Sequence, residues 1–90
     1  MPKRRRAIVT GRVQGVGFRW YTREKANDLG LTGWVRNLHD GRVETAFQGD
    51  PALVAEMETW LWKGAPAARV VGVTLSEEAP VPGEIDFSIR

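Results

Sequence analysis

Apolar and polar positions follow two rhythms along this chain, and the changes between them predict seven elements. Arg6 to Val13 reads as a strand around the apolar segment Ala7-Ile8-Val9. Phe18 to Leu29 reads as a helix closed by Gly30 at the C′ position. Gly33 to His39 and Arg42 to Gln48 read as strands joined by Asp40-Gly41, a short-hairpin signal. Asp50-Pro51 then supplies an N-cap followed by a proline at the first helical position. Beyond it Leu53, Val54, Met57, Trp60 and Leu61 form an apolar stripe at helical spacing, which Gly64 ends and Pro66 keeps from resuming. Arg69 to Leu75 is rich in β-branched residues and reads as a strand. Pro80, Pro82 and Gly83 break the chain before Ile85, Phe87 and Ile89, which alternate with polar neighbours.

The order βαββαβ with an extra C-terminal strand predicts an α+β fold. Its expected form is a ferredoxin-like sandwich, an antiparallel sheet with two helices on one face. Residues 1–90 are expected to form a single, complete domain. Fold alone leaves function open, because this architecture hosts many unrelated activities.

Composition narrows the chemistry. The chain has no cysteine, which removes disulfides, thiolate nucleophiles and thiolate-bound metals. No apolar run approaches the ~20 residues of a membrane span, and the charged N-terminus does not resemble a signal peptide. A cytoplasmic protein that does not engage membranes is therefore expected. The formal net charge is +2, but Lys3-Arg4-Arg5-Arg6 is a basic block whereas Glu77, Glu78, Glu84 and Asp86 make the C-terminal quarter acidic. The block reads either as a solvated terminus or protected edge strand, or as a patch for anions or nucleic acid.

Gly11-Arg12-Val13-Gln14-Gly15-Val16-Gly17-Phe18-Arg19 is the segment richest in chemical meaning. It joins a predicted strand to a predicted helix N-terminus, where backbone N–H groups and the helix dipole favour an anion. Gly15 and Gly17 allow the backbone to turn its N–H groups inward. Arg19 adds a planar fork that matches phosphate oxygens. The alternative is a tight β–α turn with an exposed arginine.

Asn37 is the second candidate. Asparagine is depleted in strands, so one within a predicted strand calls for a partner or a use, such as holding a water beside a bound phosphorus. It also reads as an ordinary polar residue on an exposed sheet face. With a two-residue turn at Asp40-Gly41, Asn37 pairs with Glu44 and shares a face with Val35, His39, Arg42 and Ala46. The opposite face then carries Trp34, Leu38, Val43 and Phe47 with Arg36 in its middle. A bulge would reverse part of this assignment, so the buried face stays open.

Other chemistries find few residues. His39 is the single histidine and stands beside the turn. Glu56 and Glu58 do not share a helix face, and Glu77 and Glu78 point to opposite faces of a strand. Neither Ser76 nor Ser88 lies in a nucleophile-elbow pattern. Trp60 belongs to the helical stripe, whereas Trp62 falls off it and is a candidate rim residue.

The motifs at 11–19 and at Gly33-Trp34-Val35-Arg36-Asn37, with Asp40-Gly41-Arg42-Val43-Glu44 and Gln48-Gly49, resemble the acylphosphatase family. The resemblance runs to Phe87-Ser88-Ile89 and implies that family's ferredoxin-like fold. It implies hydrolysis of the carboxyl–phosphate anhydride of small acyl phosphates to a carboxylate and inorganic phosphate, the latter a competitive ligand as well as a product. Arg19 matches the family's phosphate-binding catalytic arginine, and Asn37 matches the asparagine that positions the attacking water. Gln14, Gly15, Val16, Gly17 and Phe18 match the loop whose amides hold the phosphate. No metal, no organic cofactor and no phosphoenzyme are implied, and a monomer is expected. Gly17 stands where the family varies, and the carboxylate of Arg90 is a candidate partner for Arg19.

Three other readings compete. A non-catalytic RNA- or anion-binding module shares the element order, but an RNA platform needs stacking aromatics on its central strands. Ala7 to Val13 has none and Arg42 to Gln48 only Phe47, so a nucleic-acid partner is not expected. An accessory domain of a larger enzyme would belong to a longer chain. An inactive relative would have little use for both Arg19 and Asn37.

Overall fold

The computed structural model describes residues 1–90 and contains the seven expected elements in the expected order. They are β1 (Lys3–Arg12), α1 (Phe18–Asp28), β2 (Thr32–Asn37), β3 (Val43–Gly49), α2 (Pro51–Lys63), β4 (Arg69–Glu78) and β5 (Phe87–Ile89). Local signals account for the helix ends. The Asp50 carboxylate accepts from the Ala52 N–H at 2.9 Å, with Pro51 opening α2. At the end of α1 the N–H of Leu31 bonds the carbonyl of Ala26, and that of Gly30 bonds Asn27, the Schellman pattern that places Gly30 at C′.

The sheet order is β4-β1-β3-β2-β5. β1 pairs antiparallel with both β3 and β4, and β2 antiparallel with β3. β5 instead lies parallel to β2, Gly33 to Val35 matching Phe87 to Ile89, so the sheet is mixed rather than wholly antiparallel. Its path explains the direction. β4 ends beside Arg4, which pairs with Gln48, and Gln48 in turn faces Thr32 at the start of β2. The chain crosses the sheet at that end and must then run up alongside β2.

Both helices cover one face. Phe18, Thr22 and Ala26 of α1 and Val54, Met57 and Leu61 of α2 are buried, as are Ala7, Val9, Val35, Val43, Thr45 and Phe47 of the sheet. The Phe18 and Trp60 rings meet at 6.0 Å and link the helices over this core.

The hairpin between β2 and β3 departs from the two-residue turn. Leu38 N–H bonds the Arg42 carbonyl at 2.8 Å, and Gly41 N–H turns back to the Leu38 carbonyl at 3.3 Å. Three residues, His39 to Gly41, therefore form the loop, and only Gly41 takes positive φ, at 94°. This is a type I turn with a glycine bulge. The Arg42 N–H, with the Arg42 guanidinium behind it, holds the Asp40 carboxyl below its ordinary pKa. One extra loop residue shifts the register by one, so Asn37 opposes Val43 and Arg36 opposes Glu44. Asn37 thus shares the helix-facing side with Val35, Val43 and Thr45, whereas Trp34, Arg36 and Ala46 face away.

The basic block is neither a loose terminus nor an edge. Arg4, Arg5 and Arg6 lie on β1 in the interior of the sheet order, and Glu77, Glu78 and Glu84 of the acidic C-terminal quarter are among their partners. Arg4 contacts Glu84 at 2.9 Å and Glu78 at 3.3 Å, Arg5 contacts Glu58 at 2.9 Å, and Arg6 contacts Glu78 at 2.8 Å. Arg36 grips buried Glu44 at 2.6 Å, and the guanidiniums of Arg90, Arg36 and Arg6 lie 4.6, 5.3 and 5.9 Å from the Trp34 ring. No helix is long and apolar enough to cross a membrane.

The observed turn sets a test. Gly41→Ala forces a Cβ residue into the left-handed region and should cost about 1–2 kcal/mol. In urea unfolding the midpoint should fall with little change in slope, and Gly41→Asn should lose less than Gly41→Ala.

Candidate active site

The segment after β1 turns through two left-handed glycines, Gly15 (φ 74°) and Gly17 (φ 76°), before α1 begins at Phe18. At Gly15 a Cβ would meet nothing within 4 Å, so conformation rather than space calls for glycine there. Gly17 caps α1 without a side chain, and the first turn of the helix holds no acidic residue. No carboxylate of that turn offsets the positive helix end, which leaves its N–H groups and dipole available to an external anion.

Phe18 fixes where this loop ends. Its ring is buried in the core against Trp60, which anchors the first residue of α1. Arg19, the next residue around the helix, is only partly covered. Its Nη1 donates to the main-chain oxygen of Arg90 at 3.0 Å. Arg90 is held in turn by its N–H, which bonds the Val35 carbonyl at 2.8 Å. The parallel path of β5 alongside β2 thus reaches the guanidinium of Arg19, whose remaining donors stay free of that bond.

Gln14 has a role that the sequence did not disclose. Its Nε2 donates to the Leu38 carbonyl at 2.7 Å and to the Arg42 carbonyl at 2.9 Å. These carbonyls flank the hairpin turn that follows Asn37. A single primary amide therefore ties the glycine loop to the hairpin.

The result is one cavity of about 220 Å³ shared by both halves. Gln14, Gly15, Gly17, Phe18 and Arg19 line it together with Asn37, which stands exposed at the end of β2. Val16 is not in the lining; it packs against the core from outside. Val13, Trp20 and Ile89 complete the walls and were not anticipated as site residues. Trp20 could have been suspected, because it lies off the buried Phe18-Thr22-Ala26 stripe and directly follows Arg19. Arg19 is the sole ionisable group among the lining residues. Trp62, the candidate rim residue, borders a different depression with Glu58, Thr59 and Leu75.

A family model described as Acylphosphatase matches residues 5–89. The acylphosphatase of Rubrobacter xylanophilus is 52% identical over 88 residues, covering 98% of this chain and 80% of the relative. That of Nitrosococcus oceani is 49% identical over 85 residues, covering 94% of each. Among solved structures, an acylphosphatase from Coxiella burnetii superposes with a TM-score of 0.93 at 40% identity, covering 99% of this chain and 93% of that one.

Removing the Gln14 amide should be measurable as lost stability. Gln14→Ala deletes two hydrogen bonds and leaves each carbonyl with its single main-chain donor, which should cost about 1–2 kcal/mol in urea unfolding. Gln14→Glu keeps the shape but cannot donate when ionised, so at neutral pH it should be at least as unstable as the alanine variant.

Proposed function

The chain belongs to the acylphosphatase family, and we propose that it hydrolyses small acyl phosphates at the cavity between the Gln14–Arg19 loop and Asn37. The observation that carries this reading is the meeting of two chemically unlike groups, 18 positions apart in the chain, at one cavity: Arg19, a permanent cation, and Asn37, a neutral donor–acceptor. Loop and helix N–H groups together with Arg19 would hold the phosphate oxygens and balance their charge as the bond to the acyl oxygen lengthens. The Asn37 amide would accept a hydrogen bond from a water and direct its lone pair at phosphorus.

The step balances without a cofactor. The water oxygen forms a bond to phosphorus, the P–O bond to the acyl group breaks, and its electron pair leaves on the carboxylate. Asparagine is not a base at neutral pH, so the water proton passes to a phosphate oxygen of the substrate. The products are a carboxylate and inorganic phosphate, and the latter competes for the same loop. A carboxylate is a good leaving group, so a site lined by no acid or base except Arg19 is sufficient for this anhydride.

Little supports a nucleic-acid platform. Phe47, the one aromatic residue of β3, lies buried beneath the helices, and Arg4, Arg5 and Arg6 are engaged by glutamates.

Benzoyl phosphate hydrolysis measured in EDTA should proceed undiminished. Arg19→Ala should lower kcat/KM roughly a hundredfold or more, on the order of 3 kcal/mol, and weaken inhibition by inorganic phosphate. Asn37→Ala should lose kcat while inorganic phosphate still inhibits. Full activity in both variants would overturn the mechanism.

A further inference from the structure

Trp20 is half exposed although it is among the largest apolar side chains in the molecule, and it contributes nothing to the core. Its ring meets that of Tyr21 edge to face at 5.0 Å and 90°. Such a pair restricts the indole's freedom without covering both of its faces. Trp20 also lines the cavity that holds Arg19 and Asn37, as does Ile89, which is itself 36% exposed. Two exposed apolar side chains, one from α1 and one from β5, therefore border a site whose other features suit an anion.

We propose that Trp20, with Ile89, is the acyl-group platform, and that it selects acyl phosphates whose acyl part is flat and apolar, aromatic ones above all. This inference rests on the acylphosphatase reading and assigns its substrate class. If the loop amides and Arg19 hold the phosphoryl end, the carboxyl end must project out of the polar pocket. The indole and the Ile89 side chain are the solvent-exposed apolar surfaces that border it, since Val13 and Phe18 are buried in the core. An aryl group laid against them buries apolar area and can stack, whereas a methyl group covers little of either. Benzoate and acetate are leaving groups of similar basicity, so a preference between their phosphates reports binding of the acyl group rather than intrinsic reactivity. Trp20 is thus a specificity-determining residue, remote from phosphorus.

The test compares benzoyl phosphate with acetyl phosphate in the full chain. The unaltered protein should favour the benzoyl compound in kcat/KM by about tenfold. Trp20→Ala should lower the benzoyl-to-acetyl ratio about tenfold, mainly through KM for benzoyl phosphate, and Trp20→Phe should retain most of the preference. Because Trp20 is half exposed, both variants should keep the urea midpoint of the parent within a narrow margin. A benzoyl-to-acetyl ratio unmoved by Trp20→Ala would overturn the platform while leaving the acylphosphatase reading intact. If the unaltered protein hydrolysed neither compound, that reading would fail and take this inference with it.

Discussion

Two hydrogen bonds from one nitrogen hold the site together. The glycine loop leaves one strand and Asn37 ends another, and the Gln14 amide joins them by donating to the Leu38 and Arg42 carbonyls. The geometry narrows which side chain can do this. Both acceptors are neutral carbonyls, so the donor needs two N–H bonds and no charge that would demand a counter-ion. Asparagine has the same amide on a shorter stem, and a lysine would bring an ammonium beside Arg19. The hairpin contributes as much as the glutamine. Leu38 and Arg42 flank the loop as a pair, so their carbonyls can be reached from one point. Their spacing depends on the Gly41 bulge, which also turns Asn37 to the helix-facing side.

The other support of the site comes from the far end of the sheet. Arg4 is nearly buried and divides its donors among Glu78, Gln48 and Glu84. Gln48 in turn bonds both the N–H and the carbonyl of Val81. These contacts direct the crossover from β4 to β5, and β5 ends where the Arg90 oxygen receives Arg19. Exposed ion pairs are worth about 0–1 kcal/mol each, so their number alone adds little stability. Arg4 differs because removing one partner would leave a guanidinium charge largely out of water. What the network contributes is a defined path for the chain, and that path positions a residue of the site.

This division explains what could be read from the residues alone. Helix limits were legible because caps are local: Asp50-Pro51, Gly30 and Gly64 each act within a turn of themselves. The glycine loop and Arg19 were legible for the same reason. The hairpin face was not, because Asp40-Gly41 fits a two-residue turn and the end of a three-residue one equally well, and one residue of register exchanges the two faces. Nor could local pattern place β5 parallel to β2, or show that Lys3 to Arg6 meets glutamates some 70 positions away. Gln14 stood in the recognised loop, yet its side chain serves a partner 24 and 28 residues on. The place of Trp20 at the cavity was not legible either, because its exposure is a property of the assembled sheet and helix.

A site built in this way limits its own chemistry. Electrostatic positioning by fixed N–H groups and one guanidinium lowers the barrier where charge moves among oxygens already bound to phosphorus. It offers nothing to protonate a departing alkoxide, since none of the lining residues is an acid that could release a proton near neutral pH. The expulsion of a carboxylate needs no such proton, whereas the expulsion of an alcohol from a phosphate monoester does. On the proposed mechanism, selectivity for the anhydride over the ester would follow from what the cavity lacks, without any need to recognise the carbonyl. On the proposed reading, recognition of the acyl group would fall to the apolar border, where an exposed side chain such as Trp20 can vary without disturbing the Gln14 amide, the Gly41 bulge or the buried Arg4.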